Sequence, residues 1–555
     1  MRQLKLSTYA WRAPLAAALL LTTLLSSVSL GWQQAAATVT VNPASTLSPA
    51  ERAAASLISA DTIRKITTEL SAPDMQGRGT AQPGGERAAR YIADRFSKLG
   101  LKPLGDAGSY LQGIKFKSSL VTPESSIKAG DAVLKQGADF VLAPPYTSDQ
   151  IDTSGQLVFV GYGVNSPDLK RNDLEGIDVK GKIAIILSGR PQNADEAAWK
   201  KAGSAQALAR NLIMQGAAGI ILANIGSKAQ PYKLIASYLS RRRVQLADAP
   251  APAMKLPPVV LMGEEGLEKL FAGTGQTYAQ TFAKAQTGEF ASRDLNKQAN
   301  FSVSIKREEG VSSNVAAVLE GSDPKLKEEA VIYTAHYDAY GVDAAGRIYP
   351  GAADNALGVA MITSIAEAFA KSKQRPRRSV IFLAVTGEEY GLLGAEYWVK
   401  NPTWPLNKLA ANLNYDGIGT EIYGPVKKVV GFGAEYSDLG KTLEDVLQAT
   451  GVQLTPDPMP EEQAFYRSDH YAFVKKGVPA LMLLGGPDGD TAVWLARARK
   501  WLETDYHQTT DTVQPNWNWE GPKTTATIGL IVGMRVANAE ASPNWLPGAP
   551  FKRGA

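Results

Sequence analysis

Cysteine is missing from all 555 residues. Its absence excludes disulfides, a thiolate metal site and a cysteine nucleophile. Stability must come from the core alone, which a chain of this length can supply. Histidine is almost missing too, at three residues: His336, His470 and His507. No dense basic run is present. The formal charge is only +5, with Arg2, Lys5 and Arg12 clustered at the start. That near-balance gives no support for a nucleic-acid partner. Beyond the first 30 or so residues, no stretch reaches the ~20 apolar residues a membrane span needs. There is no internal repeat and no low-complexity array.

The first residues read as an export leader. A positive start precedes the largely apolar Pro14 to Leu30, and Ala35-Ala36-Ala37 offers a small-residue cleavage site. We read 1–37 as a signal peptide and the product as periplasmic or secreted. An uncleaved anchor is the weaker alternative, because Ser26, Ser27 and Ser29 dilute the end of the apolar stretch. Residues 38–55, polar and proline-containing, read as a tether.

Arg87 to Leu101 carries apolar residues at spacings of three and four, with Gly100 and Pro103 as stop signals, and so predicts a helix. From about residue 130 the texture changes. Short β-branched runs at 157–160 and 182–187, a helical pattern at 202–216, the run 217–223 and a strand at 257–261 suggest a β-rich α/β unit. From about Ser302 another pattern follows. Strands at 331–335, 379–385, 409–414 and 480–484 alternate with helices at 357–370 and 392–400. Fully apolar strands alternating with helices predict a mixed, mainly parallel sheet covered on both faces.

In such a sheet, ligands bind beyond the carboxyl ends of the strands. His336 and Asp338 follow one strand, Glu388 and Glu389 a second, and Asp416 a third. Asp354 opens a helix, and His507 lies on a later loop. Each has an ordinary explanation when taken alone. Asp354 could cap its helix, Asp416 before Gly417 could form a turn, and Glu388-Glu389 could sit on a solvated helix start. Those explanations are independent, and together they fail to account for a complete shell of hard nitrogen and oxygen ligands.

The ordered segments resemble the di-zinc aminopeptidase family that includes bacterial leucyl aminopeptidases, aminopeptidase S, aminopeptidase Y and the glutamate carboxypeptidases. They are His336-Tyr337-Asp338, Gly351-Ala352-Ala353-Asp354-Asn355-Ala356-Leu357-Gly358, Gly387-Glu388-Glu389, Asn414-Tyr415-Asp416, Ser468-Asp469-His470 and His507 through Thr512, with Gln76-Gly77-Arg78 upstream. Ala353 stands where an acid is common and Leu357 where a small residue is common. Neither position is a ligand in the family, so local repacking is expected. The resemblance implies a zinc peptidase domain over 56–135 and 290–545. It also implies a protease-associated insert over 136–289, overhanging the site. Two Zn2+ would be bridged by Asp354, one completed by His336 and Asp416, the other by Glu389 and His507. Asp338 would orient the His336 imidazole. Glu388 would be the general base on a water bridging the metals, and Tyr506 a donor to the oxyanion. His470 would be structural. The implied activity is removal of N-terminal residues from peptide substrates. Alternatives are a carboxypeptidase or glutaminyl cyclase of the same family, or a non-catalytic receptor-like binding protein.

Overall fold

The computed structural model describes residues 46–146, 148–224, 231–250, 255–289, 292–417 and 419–554. The expected signal peptide and the first part of the expected tether lie outside them. The end of that tether is instead a helix, Pro49–Ala55. Ser48 and Glu51 cap it reciprocally, and the Glu51 carboxylate accepts a 2.8 Å bond from Arg535 of the last helix. The Ser-x-x-Glu pattern that starts it is a recognisable capping box, which the polar composition masked.

The central sheet is the mixed, mainly parallel one expected. Ala330–His336, Ser379–Val385, Leu409–Asn414 and Ala480–Gly485 are buried along their whole length. They pair in parallel, with Ala330–His336 between Ser379–Val385 and Leu409–Asn414, and Ala480–Gly485 beyond the latter. Antiparallel strands close the parallel set on both sides, Arg293–Leu319 at one and Lys428–Phe432 at the other.

Strand alternation explains why both faces are apolar. Val331, Tyr333, Ala335, Val380, Phe382 and Ala384 face the helices Ala60–Leu70, Leu357–Lys371 and Glu520–Asn538. Ile332, Ile381, Leu383 and Val385 face Trp398 and Phe473 on the opposite side. Among the described residues, no helix is long and apolar enough to cross a membrane.

One close approach sets the height of the last helix over the sheet. A Cβ on Gly529 would sit 1.6 Å from the Tyr415 hydroxyl, and one on Gly533 1.8 Å from the Tyr333 hydroxyl. Tyr333 uses that space to donate a 2.9 Å bond to the Gly529 carbonyl. Both tyrosines lie on segments that end in candidate ligands, His336 and Asp416.

The middle of the chain forms a second lobe with its own core. Gln150–Phe159, Ile183–Leu187, Gly219–Ala223 and Val259–Met262 run parallel in that order. The helix expected at 202–216 is Ala205–Met214, and a further helix, Glu196–Ala202, precedes it across Gly203, which takes φ +111°. The expected limits of 136 and 289 are too narrow. Val121 and Ile127 before them, and Phe301, Val303 and Ile305 after, belong to the second core. The cause is Arg293–Leu319, a 27-residue strand shared by both lobes. Its first part pairs with Gln150–Phe159 and Ser126–Ala129, its last part with Leu111–Val121 and Ser379–Val385.

Because Gly533 has no room for a methyl group, Gly533→Ala is expected to destabilise the fold by about 1–3 kcal/mol, as overpacking does. Thermal or urea melts would measure the loss, and Tyr333→Phe added to Gly533→Ala should recover part of it. A Gly533→Ala protein as stable as the parent would contradict this packing.

Candidate metal centre

His336 is the last residue of its strand, so its side chain emerges at the carboxyl edge of the sheet. Asp416 follows the neighbouring strand and Glu388-Glu389 the strand on the other side, so parallel pairing alone delivers all three segments to one edge. Asp354 arrives on the turn Ala352–Ala356, which precedes helix Leu357–Lys371. It does not cap that helix. Asn355 takes the capping contact, accepting from Gly358 N–H at 3.0 Å while donating to the Tyr415 carbonyl at 2.8 Å.

The predicted ligands converge. His336 Nε2 lies 3.2 Å from Asp354 Oδ1 and 3.2 Å from Asp416 Oδ1. His507 Nε2 lies 3.1 Å from Asp354 Oδ2 and 3.0 Å from Glu389 Oε2. Asp354 thus turns one oxygen to each imidazole. The two groups, His336/Asp354/Asp416 and Asp354/Glu389/His507, each gather their ligand atoms within 4.8 Å. Glu388 belongs to neither. Its Oε2 stands 3.8 Å from His336 Nε2, and it lines a pocket with Asp354, Asp416 and Tyr506. Adjacent glutamates therefore serve different places, because Gly387 and Gly391, at φ +72° and +103°, wrap them into a single tight turn.

Other buried groups hold these loops together. Arg78, fully buried, donates from Nη1 to the Leu70 carbonyl at 2.8 Å and from Nη2 to the Gly351 carbonyl at 2.6 Å. It also donates to the carbonyls of Tyr337 and Pro350, both at 2.5 Å. Burial lowers its pKa to about 10 even though Asp511, Asp338, Asp354 and Glu389 favour the charge. Asp511 accepts from the N–H groups of Ala353 and Asp354 at 2.9 and 3.1 Å, fixing the ligand turn. The sequence alone assigns Asp511 no role. Its place before Thr512 was the only signal.

One expected contact differs. The His336 Nδ1 partner is the main-chain carbonyl of Asp338 at 3.1 Å, not the carboxylate, whose Oδ1 is 3.8 Å away. The carboxylate instead accepts from Thr80 Oγ1 at 2.9 Å and Glu388 N–H at 3.2 Å. Asp338 therefore orients His336 through its backbone and holds the Glu388 turn through its side chain. His470 joins neither group. It is buried against Phe465, and burial lowers its pKa to about 4.

The donor set fits a cation. With Nδ1–H given to a carbonyl, neutral His336 would aim an Nε2 lone pair at two carboxylates, a repulsive arrangement unless a proton or metal ion intervenes. The crowding of carboxylates shows in the titration of the groups. Burial opposes the His336 imidazolium, yet Glu388 and Asp416 raise its pKa well above the ordinary value. His507, likewise opposed by burial, is raised to about 9 by Glu389 and Asp354. Burial pushes Asp338 up to about 6 and Asp511 up to about 7. Imidazole nitrogen and carboxylate oxygen in open clusters suit zinc-like divalent ions.

The comparisons agree with this chemistry. Residues 314–530 match Peptidase family M28. The chain is 30% identical over 224 residues, 38% of its own length and 42% of the relative's, to a probable leucine aminopeptidase 2 of Aspergillus oryzae. It is 36% identical over 110 residues, 20% of its length and 25% of the relative's, to a probable zinc metalloprotease of Leptosphaeria maculans. Its fold is similar to that of an aminopeptidase from Aneurinibacillus sp. strain AM-1, at 19% identity and TM-score 0.57, covering 89% of this chain and 97% of that one. The matches span less than half the length of these curated relatives.

In metal-free protein, Asp338 and Asp511 stay neutral when folded at pH values where the unfolded chain, with carboxyl pKa near ~3.9, has released the proton. Their contribution to stability therefore falls as pH rises through about 4 to 7. His507 adds stability below about pH 6.5 that is lost as pH climbs toward its raised pKa. Both effects have the same sign. Chelator-treated protein is expected to melt several degrees lower near pH ~8.5 than near pH ~5, with a divalent ion restoring more at the higher pH. A flat or rising melting profile would refute the assignment.

Proposed function

We propose that this protein is an exported, zinc-dependent aminopeptidase that hydrolyses the N-terminal peptide bond of peptides. The observation that carries the reading is the shared Asp354, which joins two ligand groups beside a glutamate that belongs to neither and faces the pocket. His336 and Asp416 with Asp354 would hold one zinc ion, and Glu389 and His507 with Asp354 the other. Zinc bound there would supply Lewis acidity, lowering the pKa of a water toward about 7 and polarising a carbonyl oxygen.

Glu388 takes the proton from the attacking water and gives it to the departing amine. The Tyr506 hydroxyl, on the pocket wall, donates to the oxyanion as the carbonyl becomes tetrahedral. Phe432, Met459, Met482, Leu484 and Leu502 form an apolar part of the wall, which suits the side chain of the released residue. The second lobe, read as a protease-associated insert, limits how substrates approach.

The choice of end also has support. A carboxypeptidase needs a free cation for the terminal carboxylate, and Arg467 is the basic residue lining the pocket. Its guanidinium is already paired with Glu462 at 2.9 Å. Asp457 on the same wall favours a substrate ammonium over a carboxylate.

Metal analysis with a panel of amino-acyl anilides tests the proposal. Turnover should require a free amine, vanish with N-acetylated substrates and be lost on chelation. Glu388→Gln should keep its zinc while kcat falls by about 10²–10⁴-fold. Full activity in thoroughly demetallated protein, or cleavage of N-acetylated substrates alone, would overturn the reading.

A further inference from the structure

Arg241 comes from the second lobe, in the short link between helix Tyr232–Leu239 and strand Arg243–Leu246. That strand leaves its own lobe's sheet and pairs antiparallel with Leu111–Val121 of the peptidase sheet. The pairing carries Arg241 to the rim of the metal centre, where it is buried. Its Nη2 donates to the main-chain carbonyl of His507. The guanidinium carbon lies 4.2 Å from the centre of the Tyr340 ring and 4.5 Å from that of Tyr349. Nε and Nη1 find no hydrogen-bond acceptor among the described residues, so the aromatic faces are what receive the charge.

His507 needs such support. Its φ is +59°, a left-handed conformation that a residue bearing Cβ adopts only when its surroundings impose it. It sits on a loop with no regular structure, whereas the other candidate imidazole ends a buried strand. The His507 ring stacks on Tyr506 at 3.6 Å between centroids and meets Tyr340 edge-on at 4.9 Å. The Tyr340 hydroxyl stands 3.3 Å from His507 Nδ1. Arg241 therefore reaches this ligand by two routes, through its carbonyl and through the tyrosine that faces its distal nitrogen.

We propose that Arg241 is a positioning residue for His507, so that the second lobe helps to build the Asp354/Glu389/His507 half of the centre. The proposal rests on the zinc reading above. It predicts an asymmetry: loss of Arg241 weakens one metal site and spares His336/Asp354/Asp416, which Arg241 does not touch.

Zinc binding to full-length metal-free protein, measured by competition with a chromophoric chelator, tests this without reference to activity. The parent should bind two zinc ions. Arg241→Met should keep one at parental affinity and bind the other about 10–100-fold more weakly, the usual effect of removing a group that orients a ligand. Arg241→Lys, which keeps the charge but loses the planar fork lying on the tyrosines, should fall between. Tyr340→Phe, which keeps the ring beneath Arg241 and removes only the hydroxyl, should weaken the same site alone. Parental affinity at both sites in Arg241→Met overturns the positioning role. Equal weakening of both sites, accompanied by a lower melting temperature of the metal-free protein, would make Arg241 merely structural and overturns it as well. A parent that binds no zinc would instead refute the underlying metal reading.

Discussion

Like charge packed out of water is the constraint around which the molecule is built. Asp338, Asp354, Glu389, Asp469 and Asp511 are buried at one edge of the sheet, with Glu388 and Asp416 beside them. Buried carboxylates are costly unless paired or hydrogen-bonded. His336, His507 and Arg78 supply the nearby positive charge, and backbone N–H groups from Ala353, Asp354 and Glu388 satisfy part of the rest. Asp469 finds no donor among the described residues, and burial drives its pKa well up. The deficit of positive charge is a physical reason to expect cations there, apart from any likeness to other proteins.

What was legible in the sequence followed from strong, local signals. Strands buried on both faces read as unbroken apolar runs, and parallel pairing then dictates that residues after each run share an edge. His336, Glu388, Glu389 and Asp416 could be singled out that way, whereas Asp354 at a helix start, His507 on a loop and the separate roles of Glu388 and Glu389 were implied by the resemblance of the ordered segments. Arg293–Leu319 was not legible. Its outer portion alternates with exposed positions such as Asn300, Lys306 and Arg307, and Glu308, Glu309 and Gly310 look like an interruption. The neighbouring strands hold it extended, which no local pattern can express.

The atoms that tune the site were equally hidden. Nothing in His336-Tyr337-Asp338 says whether a carbonyl or a carboxylate will meet Nδ1, since that depends on where Thr80 and the Glu388 turn arrive. Arg241 is 266 residues from His507 in sequence, and its own surroundings suggest only a basic loop. Arg78 was noticed for its neighbours Gln76 and Gly77, yet its work is to bind carbonyls from three other segments.

The uninterrupted run from Arg293 to Leu319 has a consequence for how the two halves can be recombined. A cassette cut at the borders suggested by texture, near 136 and 289, would leave half of one β-ladder in the recipient and discard its complement. A workable graft from a relative must carry Ser126–Ala129 and the leading portion of the shared strand along with it. One natural seam lies within that strand, where pairing passes from one sheet to the other, and its counterpart lies between Leu111–Val121 and Ser126–Ala129.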